Sequence, residues 1–140
     1  MNQESPISYI EYSTSNHQYF DRAQHRSPID PAALEEFRAV MGEDGAELVA
    51  ELIDTFVEDA SRLLADMREA VAREDADALE RAAHGLKGSS ATLAALGLSD
   101  LCQELEDMGR AGTLEGAVEI VAQVETEYEK VKVALEAMRT

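Results

Sequence analysis

One histidine of this sequence stands among residues with which it could do chemistry. His84 is followed one helical turn later by Lys87 and then by Gly88, within the run AHGLKGSS at residues 83–90. Residues three or four apart share a face of a helix, so Lys87 reaches the surface around the imidazole. A neutral imidazole is nucleophilic, and an ammonium group can pair with an anion bound to it. The spacing therefore indicates a site where the imidazole carries an anionic group.

The helix that would carry His84 has an unusual outer face. Its inward face is predicted to consist of Leu79, Ala82, Ala83, Leu86, Ser90 and Leu93. At about 100° per residue, His84 lies well away from that face and points to solvent. Beside it we expect Glu80 and three small residues, Gly88, Ala91 and Ala95, where a surface helix normally carries long polar side chains. Gly88 costs a helix about 1 kcal/mol relative to alanine, and close approach of another molecule is the simplest reason for it.

Helical periodicity of apolar residues extends over most of the chain. It predicts a short helix from Asp30 to Gly42 and a long one that begins at a capping box at Asp44 and ends near Arg73. A third helix, which carries His84, runs from Asp75 to Gly97. Two more follow, one ending at Gly109 and the Gly112 turn, and one over residues 117–138.

These helices and their short connections predict one domain of the all-α class. We expect an antiparallel four-helix bundle over residues 28–140, with an additional short N-terminal helix that covers one end. Residues 1–27 are rich in Ser, Asn, Gln and Tyr and show no sustained period. They are predicted to form a disordered tail.

Composition excludes several classes of partner and location. The formal net charge of −17 argues against nucleic acid and anionic membranes as partners, because both would be repelled. Cys102 is the single cysteine, so neither an internal disulfide nor a cysteine-based zinc site is expected, and Cys102 is predicted to lie in the core. The sequence contains no apolar run of about 18 residues and no secretory signal, which predicts a cytoplasmic protein.

The run at residues 83–90 closely resembles the core motif AH-x-LKGSS of histidine-containing phosphotransfer (HPt) domains. The likeness spans about residues 30–138 and includes Phe56, Leu79, Leu93, Leu101, Cys102, Leu105, Glu106, Gly109 and Arg110. The resemblance implies that His84 accepts a phosphoryl group, that Lys87 stabilises it, and that Gly88 gives the partner room. The surface with Glu80, Ala91 and Ala95 would then contact a receiver domain.

Two positions depart from the family pattern. Many relatives have glycine where this chain has Ala94, a mild change near a helix end. Some relatives use glutamine to bond the imidazole where this chain has Glu106. A carboxylate at that position can accept a hydrogen bond from a ring N–H and fix the tautomer, although it would repel a nearby phosphate. Glu106 is therefore a candidate for orienting the imidazole.

The resemblance implies a phosphorelay intermediate that takes a phosphoryl group from a receiver aspartate or a kinase and passes it to another receiver. The sequence has no Walker-type loop, kinase signature or carboxylate cluster around His84, so we expect a phosphocarrier and not an enzyme. No cofactor or metal is expected on this chain, since Mg²⁺ and the exchanging aspartate would belong to the receiver. The expected partners of this monomer are response regulators, hybrid histidine kinases, or both.

Two other classes of function remain open on the sequence alone. One is a metal-binding bundle that uses Glu80 and His84, although such sites pair Glu and His at i, i+3 on facing helices. The other is an adaptor that binds and sequesters a receiver domain without transferring phosphate. Docking and transfer share one surface, so the residue pattern does not separate the adaptor from the carrier.

Overall fold

The computed structural model describes residues 27–139, and these residues form helices and connecting turns without a strand. The helices are α1 (Pro31–Met41), α2 (Gly45–Ala72), α3 (Ala76–Thr92), α4 (Leu96–Ala111) and α5 (Ala117–Ala137). The predicted disordered tail lies outside the described residues, apart from Ser27. None of the described helices is both long and apolar enough to cross a membrane.

The all-α bundle is confirmed. Short turns join α2, α3, α4 and α5, which makes consecutive helices antiparallel. A short helix, α1, precedes α2 as predicted. Only a 3-10 turn (Gly42–Asp44) stands between the two, so α1 is not clearly a separate additional helix. Asp44 lies in that turn and makes no capping bond, so the predicted capping box is wrong.

The core lies between α2, α3, α4 and α5 and is built from the predicted apolar faces. Its largest fully buried side chains are Ile53, Met67, Leu79, Leu86, Leu98, Leu105 and Leu135. The predicted inward face of α3 is buried along its whole length. Cys102 is also fully buried, and burial raises the pKa of its thiol to about 12, which keeps it protonated.

The turn from α3 into α4 departs from the prediction that Gly97 ends α3. Ala94 takes left-handed backbone angles (φ 59°), and its N–H bonds to the carbonyl of Ala91 at 3.0 Å. The N–H of Ala95 bonds to the carbonyl of Ser90 at 2.8 Å. These two bonds form a Schellman motif with alanine at the position that glycine usually occupies. α3 therefore ends earlier than predicted, and Gly97 lies in the first turn of α4.

A close approach of backbones fixes α4 against the start of α3. A Cβ atom on Gly109 would lie 2.7 Å from the Ala76 carbonyl oxygen and 2.7 Å from the Glu80 nitrogen. Gly109 is thus buried inside α4, and the helix ends at Gly112 (φ 74°), the second of the two glycines predicted to close it. This contact sets the relative position of the two helices that carry the candidate site.

Candidate functional site

His84 lies on the outer face of α3, as predicted, and its side chain is 68% exposed. Its Nδ1 atom lies 3.1 Å from Oε2 of Glu106 on α4. An ionised carboxylate can only accept a hydrogen bond, so Nδ1 carries the proton and donates it. The Nε2 atom then bears the lone pair, and it has no hydrogen-bond partner among residues 27–139.

Glu106 is a buried carboxylate whose side chain is only 4% exposed. Its Oε1 atom lies 2.7 Å from Nζ of Lys87, and its Oε2 atom lies 2.7 Å from Nη2 of Arg110. The hydrogen bond from Lys87, assisted by the one from His84, lowers the pKa of Glu106 even though burial acts to raise it. Glu106 therefore stays ionised, and two cations offset the charge that would repel a phosphate.

Lys87 extends toward α4, and its side chain is 27% exposed. Besides the ion pair with Glu106, its Nζ atom donates to Oε1 of Gln103 at 3.1 Å. The ammonium group therefore lies beside the imidazole of His84, where it is held by two α4 residues. This placement agrees with the expectation that Lys87 reaches the same patch of surface.

Five side chains of α3 and α4 close into a ring of polar contacts, which we call the Glu106 ring. Its links join Glu106 to Lys87 (2.7 Å), Lys87 to Gln103 (3.1 Å), Gln103 to Asp107 (2.9 Å), Asp107 to Arg110 (3.3 Å) and Arg110 to Glu106 (2.7 Å). The ring contains two cations and two carboxylates, so its formal charge is zero.

Sequence reasoning gave no role to Gln103, Asp107 or Arg110. A signal was present, because together with Glu106 they recur at intervals of three and four residues, which places them on one face of α4. What the sequence did not contain was the identity of the opposing helix. Only the packing of α4 on α3 brings that face against Lys87.

The residues predicted to form the docking face differ in their exposure. Gly88 and Ala91 are exposed, and a Cβ atom on Gly88 would have no neighbour within 4 Å. Glu80 is half-buried and pairs with Arg110 at 3.3 Å. Ala95 is fully buried, so its prediction as an exposed docking residue is wrong. The left-handed turn before it removes Ala95 from the helical wheel of α3 and turns its methyl group into the core.

The residue that follows Ala95 is exposed. Leu96 begins α4, and 44% of its surface is accessible. Its apolar side chain lies at the N-terminus of α4, directly after the turn from α3.

The described residues offer little support for a metal-binding bundle. Within residues 27–139, no group of three or more His, Cys, Asp or Glu side chains is placed to hold a metal ion. The carboxylate nearest to His84 is already engaged by Lys87 and Arg110.

Comparisons with known proteins agree with this arrangement. The family model of the Hpt domain matches residues 51–134. The chain is 28% identical over 106 residues to histidine-containing phosphotransfer protein 2 of Arabidopsis thaliana, covering 74% of this chain and 68% of that protein. It is 24% identical over 97 residues to multistep phosphorelay regulator 1 of Schizosaccharomyces pombe, covering 69% of this chain but 33% of that protein.

A solved structure shows the same fold. The crystal structure of histidine-containing phosphotransfer protein B from Pseudomonas aeruginosa PAO1 superposes with a TM-score of 0.73 at 32% sequence identity. The match covers 81% of this chain and 96% of that one.

This helical bundle presents one exposed, carboxylate-bonded histidine, and it is similar in sequence and fold to a class of proteins that act as phosphocarriers. The chain belongs to the Hpt domain family, whose model matches more than half of it. It is therefore a phosphorelay intermediate of two-component signalling, and its partners are receiver or kinase proteins of the relay.

Proposed function

We propose that Nε2 of His84 accepts a phosphoryl group from the aspartyl phosphate of a receiver domain, or from a kinase, and passes it to another receiver domain. The observation that carries this proposal is the 3.1 Å contact between Nδ1 of His84 and the buried carboxylate of Glu106. It supports the tautomer in which the exposed Nε2 atom is the nucleophile.

The accepting step is a displacement at phosphorus. The lone pair of Nε2 forms the N–P bond while the bond between phosphorus and the aspartyl oxygen breaks, and that electron pair leaves on the carboxylate. Nδ1 keeps its proton, so the phosphorylated ring is cationic, and the charge of Glu106 offsets it. Donation reverses the step, with a carboxylate oxygen of the second receiver as the nucleophile.

Charge on the phosphoryl oxygens is neutralised from both proteins in this proposal. Lys87 supplies an ammonium group beside the imidazole. The receiver supplies the aspartate and the Mg²⁺ ion, and this chain needs no cofactor of its own.

The surface around His84 suits the approach of a second protein. Gly88 and Ala91 leave open space next to the imidazole, and Glu80 borders it. We propose that a monomer of this chain contacts the receiver through these residues, and that the exposed side chain of Leu96 adds an apolar contact in place of the buried Ala95. Neither the packing of α3 nor its backbone angles require a glycine at position 88. The space that a docked partner needs would explain why glycine occurs there.

Transfer from a radiolabelled phosphoreceiver tests the proposal. We expect acid-labile, base-stable label on the wild-type chain and none on His84→Gln, because the glutamine amide is not nucleophilic. Circular dichroism should show unchanged helical content, since the replaced side chain is exposed. His17→Gln and His25→Gln serve as matched controls and should take up label like the wild type.

The same experiment decides between a carrier and a sequestering adaptor. Label on the His84→Gln chain would refute the assignment of the acceptor. Stable binding of the receiver by the wild-type chain, with no label transferred on any timescale, would favour the adaptor.

A further inference from the structure

Gln103 belongs to the Glu106 ring but has no task in the transfer chemistry described above. It lies on α4, half-buried, and its side chain bridges Lys87 and Asp107. It does not contact His84, so any effect on the reaction must pass through another residue. Lys87 is the one neighbour of Gln103 that has a part in that chemistry.

The chemistry of its two neighbours fixes the orientation of the Gln103 amide. An ammonium group has only donors, so the amide oxygen must face Lys87. A carboxylate has only acceptors, so the amide nitrogen must face Asp107. Asp107 is in turn held by Nη1 of Arg110 at 3.3 Å. The amide therefore has one available orientation, and both of its ends are engaged.

The ammonium group of Lys87 needs a second hydrogen-bond acceptor to be held in one position. Its four-carbon stem is flexible, and its ammonium group is a point charge without a preferred direction. Glu106 offers the ammonium group one contact, at Oε1, because its Oε2 atom pairs with His84 and Arg110. A second acceptor, Oε1 of Gln103, adds another contact with α4 and so restricts the position of the Lys87 ammonium group between α3 and α4.

We infer that Gln103 is a positioning residue for phosphoryl transfer: its amide oxygen holds the ammonium group of Lys87 beside His84, ready for the incoming phosphoryl group. This inference rests on the proposed function of His84 and Lys87. It predicts that Gln103 matters only while Lys87 is present.

The position of Lys87 can be measured without any transfer reaction. Ammonium protons give an NMR signal when hydrogen bonds slow their exchange with water. We expect this Lys87 signal in the wild-type chain, its loss in Gln103→Leu, and its retention in Gln103→Glu, which keeps an oxygen acceptor. Gln123→Leu, the same change at an exposed site on α5, should keep it. A Lys87 signal that persists in Gln103→Leu would overturn the inference.

Transfer kinetics then test whether the positioning matters. We expect Gln103→Leu to slow phosphoryl uptake at saturating receiver by about tenfold or more, the size expected for losing one hydrogen bond to a charged group. The receiver concentration for half-maximal rate should not change, because Gln103 is not placed in the docking face.

A double-mutant cycle separates this role from a structural one. In the Lys87→Ala background, Gln103→Leu should have no further effect on the rate. An equal slowing in both backgrounds, or no slowing in the wild-type background, would overturn the inference. If the wild-type chain takes up no phosphoryl group at all, both the proposed function and the transfer role of Gln103 are refuted. The NMR result then decides separately whether Gln103 holds Lys87.

Discussion

Glu106 shows how one buried residue organises the site. Its carboxylate accepts a hydrogen bond from the Nδ1–H group of His84 and forms ion pairs with Lys87 and Arg110. A buried carboxylate without partners would be strongly destabilising, but two cations and a ring N–H satisfy this one. The repulsion expected between a carboxylate and a phosphate is thereby reduced.

The lowered pKa of Glu106 predicts a pH dependence of stability. A carboxyl group whose pKa is lower in the folded state stabilises the fold above its unfolded value, near 4.5, and this contribution is lost as pH falls through the folded value. At pH 7 we expect Glu106→Gln to reduce the free energy of unfolding by about 1–2 kcal/mol, because Lys87 and Arg110 lose a charged partner.

Urea denaturation across pH measures this effect. The difference between the wild type and Glu106→Gln should be largest at neutral pH and should shrink below about pH 4.5, where the carboxyl of the unfolded wild type takes up a proton before the folded one does. A difference that stays constant down to pH 3 would contradict the proposed charge interaction.

The site was only partly predictable from the sequence, for a physical reason. His84 and Lys87 lie on one helix, so their spacing alone places them together. Glu106 was connected to His84 only through resemblance to a family. Gln103 contacts Lys87 across two helices, and such a contact depends on the rotation and depth of packing, which periodicity does not specify.

At the scale of elements, the turn from α3 to α4 carries more strain than its sequence suggested. Ala94 adopts a left-handed conformation that costs an L-residue about 1–2 kcal/mol, so replacing glycine there is not a mild change. The missed turn also explains the errors at Gly97 and Ala95. Without a glycine at the left-handed position, the helical pattern seemed to continue.

Ala94→Gly should therefore stabilise the protein. We expect a gain of about 0.5–1 kcal/mol, because relief of the left-handed strain exceeds the added freedom of the unfolded chain. Thermal denaturation measures it. Ala65→Gly, at an exposed position inside α2, is the matched control and should lose about 1 kcal/mol. A loss in both variants would contradict the strain assigned to Ala94.

Two glycines near the site should respond in opposite ways to the same substitution. Gly109→Ala would place a methyl group 2.7 Å from the backbone of α3 and should cost about 1–3 kcal/mol. Gly88→Ala meets no neighbour and should gain about 0.5–1 kcal/mol. Chemical denaturation compares the two; equal changes would show that the α3–α4 contact is not as close as described.

At the scale of the whole molecule, charge is distributed unevenly. The chain carries a formal charge of −17, yet α3 contains two acidic and two basic residues and is neutral. An acidic molecule with a neutral docking helix favours partners whose approaching surface is basic or neutral.

Association with a receiver whose docking face is basic should depend on salt. We expect the association rate to fall as NaCl rises from about 50 mM to about 500 mM, because screening weakens the attraction between the acidic chain and a basic docking face. Stopped-flow binding measures the rate, and denaturation over the same range checks that the fold is unaffected. A rate that rises with salt would contradict this charge complementarity.

The bundle itself was largely predictable, since buried faces such as those of α3 and α5 repeat at helical intervals. The boundary between α1 and α2 was less predictable from the sequence. A bend and a loop leave similar patterns in sequence, and only backbone geometry distinguishes them.

The neutrality of the Glu106 ring bears on how a receiver leaves after transfer. An unloaded chain presents no net charge at this ring, whereas a phosphoryl group on His84 adds negative charge beside it. The metal-bearing pocket of a receiver would therefore attract the loaded form more strongly than the spent one. Once the phosphoryl group has been transferred to the receiver, this chain would dissociate from the receiver faster. The transfer step would therefore itself promote release of the spent carrier.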